Sequence, residues 1–181
     1  GQIAMEDVRR ELMAQAAKME KTGLPLTHVD SHQHMHMLPG VIDISLDVAS
    51  SLHLDAVRIS RTPLFTAFAG MGQLIGRLGL FTLSELSLWK AKRRHFRVPD
   101  HFEGIVAGEA VHEGHFLHIL KELRPGTTEV MMHPGTDNEK LIPACDWEHD
   151  FEAEMQAIVS PKVRRMIADK AVKVVNYRDL K

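Results

Sequence analysis

The chain has 181 residues, of which 44% are hydrophobic and 25% are charged, as in globular proteins with a sizeable core. A formal net charge of -2 does not suggest a polyanion such as nucleic acid as a partner, and no apolar run approaches the ~20 residues of a membrane span. We therefore expect neither nucleic acid nor a membrane as a partner. The only cysteine, Cys145, cannot form an intrachain disulfide, which fits a cytoplasmic location.

The predicted elements alternate between helices and short strands. Apolar residues at helical spacing predict the helices, and short apolar runs that end at turns predict the strands. In chain order they are a helix from Met5 to Lys21, a strand from Leu26 to Asp30, a helix from Val41 to Leu52, a strand from Ala56 to Ile59, a helix from Leu83 to Lys92, a loop from Val98 to Gly104, a helix from Val111 to Leu123, a strand from Thr128 to Met132, a helix from Asp146 to Val159, a helix that starts at Ser160 and Pro161, and a strand from Ala171 to Asn176. The apolar stretch from Phe65 to Phe81 is left unassigned.

This alternation predicts an α/β fold with a largely parallel sheet, as one domain over residues 1–181. The sheet is expected to be open or barrel-like. About four strands are too few for a closed eight-stranded barrel, which needs about 250 residues. We therefore expect the chain to supply only part of such a barrel.

The strongest chemical signal is a segment in which every second residue is a histidine or an aspartate. Its members are His28, Asp30, His32, His34 and His36. In an extended segment these side chains would all point to one side. Imidazole nitrogens bind zinc and similar ions, and a carboxylate can bind directly or orient a histidine. Because the segment follows a predicted strand, where parallel α/β proteins place their sites, we expect at least one metal-binding or catalytic residue here rather than only surface histidines.

A second signal is His133, which ends a predicted strand and precedes Pro134 and Gly135. A rigid turn of this kind can aim an imidazole into a site as general acid or base. A hydrogen bond from His133 to a backbone group within the turn is an equally good interpretation.

Several other candidate site residues are weaker. The pair Asp100 and His101 is more typical of a solvated loop, the residues His112, His115 and His118 are more typical of an exposed helix face, and we interpret His53, His149 and Cys145 as non-functional.

The segment from His28 to His36, followed by Leu38, Pro39 and Gly40, resembles the signature of the YdjC-like carbohydrate deacetylases. That family includes the chitooligosaccharide deacetylases. The segments 129–135 and 174–180 resemble its late strand and its C-terminal end. The resemblance implies a distorted β/α barrel with one divalent metal, Mg²⁺ or Zn²⁺, that removes the acetyl group from an N-acetylated sugar or oligosaccharide. The metal would polarise the acetamide carbonyl and activate a water, and a carboxylate would accept that water's proton.

Carried over by motif, His32 is the expected metal ligand, and His133 and Asp30 are the expected catalytic residues. The resemblance implies that His133 acts as an acid or as an orienting group, and that Asp30 lies close to the metal. The remaining candidates are expected to contact the substrate or to orient these groups. They are His28, His34, His36, Arg58, Asp100 and His101.

The sequence lacks two motifs of the family, Ala-Asp-Asp-Phe-Gly and Gly-Leu-His-Leu, which supply a metal-binding aspartate, the expected base and a further histidine ligand. The segment 51–54 resembles the second motif, but it follows the histidine segment where the family motif precedes it. We therefore expect the C-terminal portion of the barrel, completed by a second copy in a homo-oligomer or by a missing N-terminal segment. Two alternatives stay open. One is an amidohydrolase-type metal hydrolase, whose His-x-His motif fits His32 and His34 or His34 and His36, and the other is a catalytically incomplete fragment of a deacetylase.

Overall fold

The computed structural model describes residues 3–61, 74–105 and 110–180, and these form an α/β structure that is mostly helical. The helices are α1 Met5–Glu20, α2 Val41–Ser51, α3 Leu74–Arg93, α4 Glu113–Lys121, α5 Asn138–Cys145, α6 Phe151–Val159 and α7 Pro161–Asp169, with 3₁₀ helices at His32–Met37 and Tyr177–Asp179. The strands are β1 His101–Glu103 and β2 Thr128–Val130. Within the described ranges, no helix combines the length and hydropathy that crossing a bilayer requires.

The chain divides into two compact units. Unit 1 comprises the described residues within 1–64, 72–100 and 175–181, and unit 2 comprises those within 101–174. The prediction of one domain over the whole chain stays a prediction. The first part of the unassigned stretch from Phe65 to Phe81 lies outside the described residues, and its last part belongs to α3.

Strand pairing is parallel wherever the structure describes it. In unit 2, β1 pairs with β2, and Phe102 lies opposite Glu129. In unit 1, single parallel bridges join Val29 to Val57 and Ala56 to Arg97. The predicted parallel arrangement is therefore confirmed, although the pairings are shorter than the predicted strands.

Three predicted elements are wrong. The predicted loop from Val98 to Gly104 contains β1, whose polar first and last residues concealed a strand that buries only Phe102. The predicted strand from Ala171 to Asn176 is irregular, because Ala171 has a φ of 51° and residues 172–176 pair with no other segment in the described ranges. The predicted helix from Asp146 to Val159 begins only at Phe151, because Asp146 has a φ of 48° and ends the preceding helix α5. Helix α5 itself was not predicted.

The core of unit 1 forms around α2. One face of this helix packs against the bridged segments and against α3, through Ile42, Leu46, Ala49, Val57, Ile59, Ala91 and Phe96. Its other buried apolar residues, Ile44 and Val48, pack against α1. Full burial of an Ile or Leu side chain stabilises the fold by roughly 1.5–3 kcal/mol. This core therefore fixes the bridged segments that carry the histidines.

In unit 2, helices α4, α6 and α7 pack together. The predicted start of a helix at Ser160 and Pro161 is confirmed, since the Ser160 hydroxyl accepts hydrogen bonds from the backbone N–H groups of Lys162 and Val163 at 3.1 and 3.3 Å. The same hydroxyl donates to Glu113 on α4 at 2.6 Å, and this hydrogen bond lowers the pKa of the Glu113 carboxyl. Ser160 thus caps α7 and joins it to α4.

Asp47 on α2 joins three helices of unit 1. It pairs with Arg9 of α1 at 2.8 Å and with Arg94, just after α3, at 2.5 Å. Burial raises the pKa of Asp47, but the hydrogen bonds from Arg94 and Arg9 outweigh burial and lower the pKa below its ordinary value of 3.8. The carboxylate therefore stabilises the folded state in its charged form.

We predict that Asp47→Asn lowers the free energy of unfolding by at most about 1 kcal/mol near neutral pH, because these side chains are partly exposed. Because the pKa of this carboxyl is lower in the folded than in the unfolded state, its contribution to stability is fully present at pH values above the unfolded pKa of 3.8. The contribution is lost as the pH falls through the folded pKa. Urea denaturation of the unmodified chain and of Asp47→Asn, from neutral to acidic pH, measures the difference in the free energy of unfolding. Asp7→Asn is the control, since its ion pair with Arg10 is exposed. If Asp47→Asn were less stable than the unmodified chain at acidic pH as well, the stabilisation would not come from the charged form of Asp47.

Candidate functional site

Parallel bridging in unit 1 places two chain segments side by side where they leave the paired region. The backbone N–H of Arg58 donates to the carbonyl of Val29 at 3.0 Å. Val29 and Val57 form the parallel bridge, and the next residue on each segment is Asp30 and Arg58. The Arg58 guanidinium pairs with the Asp30 carboxylate. Two of the predicted site residues are therefore joined at the carboxyl end of the bridged segments.

The segment that follows is a turn and not an extended chain. It forms the 3₁₀ helix His32–Met37, in which Gln33 and His34 have φ values of 50° and 59°. The prediction that all five alternating side chains point to one side is therefore wrong. Left-handed backbone costs a residue with a side chain roughly 1–2 kcal/mol, and such strain clusters at functional sites. We call residues 31–37 the histidine turn.

His36 fastens the histidine turn to the neighbouring segment. Its Nδ1 lies 2.8 Å from the Ser31 Oγ, and its Nε2 lies 2.7 Å from the Arg58 carbonyl oxygen. A carbonyl only accepts, so Nε2 carries the proton and Nδ1 accepts from the Ser31 hydroxyl. That hydroxyl in turn accepts from the His36 backbone N–H at 2.8 Å. With its side chain buried and both nitrogens bound by the protein, His36 is placed to orient the turn.

The other histidines of this segment have different surroundings. His34 is half-buried, with its Nδ1 2.7 Å from the hydroxyl of the buried Ser60. His28 stacks on Tyr177, with ring centroids 3.7 Å apart. His32 is exposed, and its ring makes no hydrogen bond to any residue in the described ranges. Within the histidine turn, His32 is thus the imidazole that faces outward with its nitrogens available.

Two weaker candidates fall in different units. In unit 1, Asp100 helps to line a cavity of about 120 Å³ together with Arg61 and Lys92, and Arg61 is paired with Glu85 at 2.5 Å. In unit 2, His101 lies on β1, and its Nε2 is 3.0 Å from the carbonyl oxygen of Pro125. Asp100 thus lies in a cavity with charged walls, and the His101 ring contacts a backbone carbonyl group.

His133 follows β2 in a turn that the structure shows to be fixed. Its backbone N–H donates to the carboxylate of Glu154 on α6. Two residues later, the Gly135 N–H donates to the carbonyl of Phe151 at 3.0 Å, and a Cβ at Gly135 would collide with Leu141 and Phe151. Glycine is therefore needed where the turn packs against the start of α6.

Sequence reasoning missed the residues that surround His133. The His149 Nε2 lies 3.2 Å from Glu154 Oε1, and Trp147 stacks on the His149 ring at 4.1 Å. The His133 ring meets the His149 ring edge to face, with centroids 5.5 Å apart. On the continuous helix predicted from Asp146, residues five apart would have pointed to different faces. Because α6 begins at Phe151, His149 instead lies in an irregular segment that folds back towards Glu154.

His133, His149 and Glu154 are the group of three potential metal ligands found in the described part of the chain, with ligand atoms within 4.8 Å of one another. Across residues 1–169 the sequence matches the family model described as YdjC-like protein. The chain belongs to the YdjC-like family.

Relatives of this YdjC-like chain carry deacetylase names. It is 27% identical to a carbohydrate deacetylase from Thermoanaerobacter pseudethanolicus, an alignment that covers 98% of this chain and 61% of the relative. It is 28% identical to a carbohydrate deacetylase from Mus musculus, over 99% of this chain and 64% of the relative. A chitooligosaccharide deacetylase from Serratia marcescens is 25% identical, over 99% of this chain and 63% of the relative. The chain thus spans less than two thirds of the length of these relatives.

A solved structure supports the fold of the YdjC-like chain. This protein, from Enterococcus faecalis, is provisionally described as a cellobiose-phosphate cleavage protein. It superposes with a TM-score of 0.67 at 19% sequence identity, covering 97% of this chain and 61% of that one. The similarity shows a shared fold.

In the YdjC-like chain, we predict that alanine substitutions at two histidines of the same turn differ strongly in their effect on stability. His36→Ala should lower the free energy of unfolding by about 2–4 kcal/mol, because it removes a buried ring and leaves the Ser31 hydroxyl and the Arg58 carbonyl without this partner. His32→Ala should change it by less than about 0.5 kcal/mol, because His32 is exposed. Urea denaturation midpoints of the two variants provide the measurement. Equal losses of stability would contradict this division of roles.

Proposed function

We propose that this chain belongs to a metal-dependent deacetylase that hydrolyses the acetamide of an N-acetylated sugar, such as a chitooligosaccharide or a related amino sugar. The observation that carries the proposal is that relatives named as deacetylases align over nearly the whole chain. Two local features support it. The strained histidine turn and the fixed His133 turn lie within two of the three segments on which the family resemblance rests.

We also propose that the chain forms part of a distorted β/α barrel. Support comes from the parallel pairing of the described strands and bridges and from the similarity to the Enterococcus faecalis structure. An incomplete barrel would expose sheet edges, which pair readily with other chains. We therefore expect a second copy of the chain or a further polypeptide segment to cover them.

His32 fits the role of a metal ligand, because its imidazole is exposed and makes no hydrogen bond to other described residues. A divalent ion bound there, Mg²⁺ or Zn²⁺, would supply polarisation of the acetamide carbonyl and a lowered pKa of bound water. The sequence lacks the family motifs that would supply a further aspartate and histidine. Ligands in addition to His32 would therefore come from other residues of the complete enzyme.

The chain's own residues supply the remaining tasks of the proposed reaction. The ion pair with Arg58 holds the Asp30 carboxylate beside the histidine turn, where it can accept a proton from water or orient a neighbouring group. The His133 imidazole, on a backbone anchored by Glu154, can protonate the leaving amine or orient the substrate. The hydrogen bonds of His36 keep the turn that carries His32 in place.

We predict that His133→Gln lowers the kcat of acetate release from N-acetylated chitooligosaccharides by roughly 10²–10⁴-fold with little change in KM, because it removes proton transfer and leaves the backbone anchor intact. Acetate release by the purified chain, supplied with Mg²⁺ or Zn²⁺, is the measurement. His112→Gln is the control, since His112 is exposed at the start of α4. It should retain the activity of the unmodified chain.

Two outcomes would contradict the proposal. If His133→Gln retained full activity, His133 would have no part in the reaction. If the unmodified chain released no acetate with either metal, it would not itself catalyse deacetylation, and the account of a catalytically incomplete fragment would replace the proposed activity.

A further inference from the structure

We propose that His133, His149 and Glu154 form a binding site for a divalent transition metal ion such as Zn²⁺, within unit 2 and without any contribution from His32. The potential ligand atoms of the three residues lie within 4.8 Å of one another. Two imidazoles and one carboxylate form a donor set that zinc uses where it keeps a coordination position open. Other divalent transition metals also accept such a set.

His149 provides an independent reason to expect a ligand at this position. Its side chain is only 3% exposed, and neither ring nitrogen makes a hydrogen bond to any described residue. The 3.2 Å approach of Nε2 to Glu154 Oε1 is close enough for an ion pair but is not aligned as a hydrogen bond. Buried polar atoms are almost always satisfied, so two unsatisfied nitrogens on one ring call for a partner. A metal ion bound to one nitrogen is such a partner.

Glu154 provides a second reason, because its carboxylate is buried and short of positive charge. Its oxygens accept backbone N–H groups from Val111, at 2.9 Å, and from His133. In the described part of the chain its ion-pair partner is His149, and no lysine or arginine pairs with it. A buried carboxylate is costly unless it is paired or bound to a metal. A divalent cation would supply the missing charge.

The geometry requires only a modest adjustment. Metal–ligand bonds of 2.0–2.1 Å in a tetrahedral site place neighbouring ligand atoms roughly 3.3 Å apart. The separation of 3.2 Å between His149 and Glu154 already matches this value. The ligand atom of His133 lies within 4.8 Å of the other two, so a movement of at most about 1.5 Å would bring it to this spacing. Trp147, stacked on one face of His149, holds that ring in position.

Metal binding here also bears on His133. A nitrogen bound to Zn²⁺ cannot deliver a proton, so an ion in this site competes with the proposed acid role of His133. The metal proposal does not depend on deacetylase activity, and it can be tested by binding alone.

The experiment compares Zn²⁺ binding by the full 181-residue chain with binding by His149→Phe. After removal of metal with a chelator, equilibrium dialysis measures the bound Zn²⁺, and the melting temperature with and without Zn²⁺ provides a second readout. Phenylalanine keeps an aromatic ring against Trp147 and removes both nitrogens. We expect His149→Phe to bind one Zn²⁺ fewer per chain, or to bind it at least 10-fold more weakly, and to lose the Zn²⁺-dependent rise in melting temperature.

Two further variants keep the test decisive. His133→Gln, on the same site, should weaken Zn²⁺ binding in the same way, which covers the case in which His149→Phe fails to fold. His32→Ala should retain the Zn²⁺ that His149→Phe loses. The proposal is overturned if the unmodified chain binds no Zn²⁺ or if His149→Phe binds as tightly as the unmodified chain. It is also overturned if His32→Ala alone loses the metal, which would assign the ion to the proposed catalytic site.

Discussion

The hydrogen bonds of His36 are the constraint on which the histidine turn depends. A buried imidazole spans the gap between the Ser31 hydroxyl and the Arg58 carbonyl, and so ties the turn to the segment bridged beside it. The same connection holds Arg58 next to Asp30. Because Gln33 and His34 adopt left-handed backbone, the turn would relax without a fixed anchor. His36 therefore acts through structure, and it stabilises the turn in which His32 is exposed.

Unit 2 fixes its own histidine by a similar device. There a buried carboxylate, Glu154, accepts the backbone N–H of His133, while the glycine of the following turn lets the chain pack directly on α6. In both units a polar side chain within the core holds the backbone that carries an imidazole. Such buried polar contacts are sensitive to change, because losing one partner leaves the other unsatisfied. They make the position of each histidine a consequence of the fold.

Much of the architecture follows from the sequence, since helical spacing of apolar residues marks α1, α2 and α4. Short elements are harder to predict: β1 buries a single side chain, and α5 contains Pro143 with no buried residue. The sequence marks the histidine segment as a candidate site but does not predict how its side chains are arranged, because the alternation of histidines indicates a strand where left-handed backbone makes a turn. His149 carries no motif, and only the late start of α6 brings it to Glu154. Tertiary contacts of this kind leave no periodic signal in a sequence.

The division of roles between His36 and His32 is the central claim, and imidazole nitrogen resonances test it most directly. A long-range ¹H–¹⁵N NMR spectrum of the chain near neutral pH, with and without Zn²⁺, reports the tautomer and the metal binding of each histidine. The account predicts that His36 carries its proton on Nε2 and that its signals do not change with metal, while those of His32 shift. A His36 ring protonated on Nδ1, or one whose signals follow the metal while those of His32 stay fixed, would contradict it.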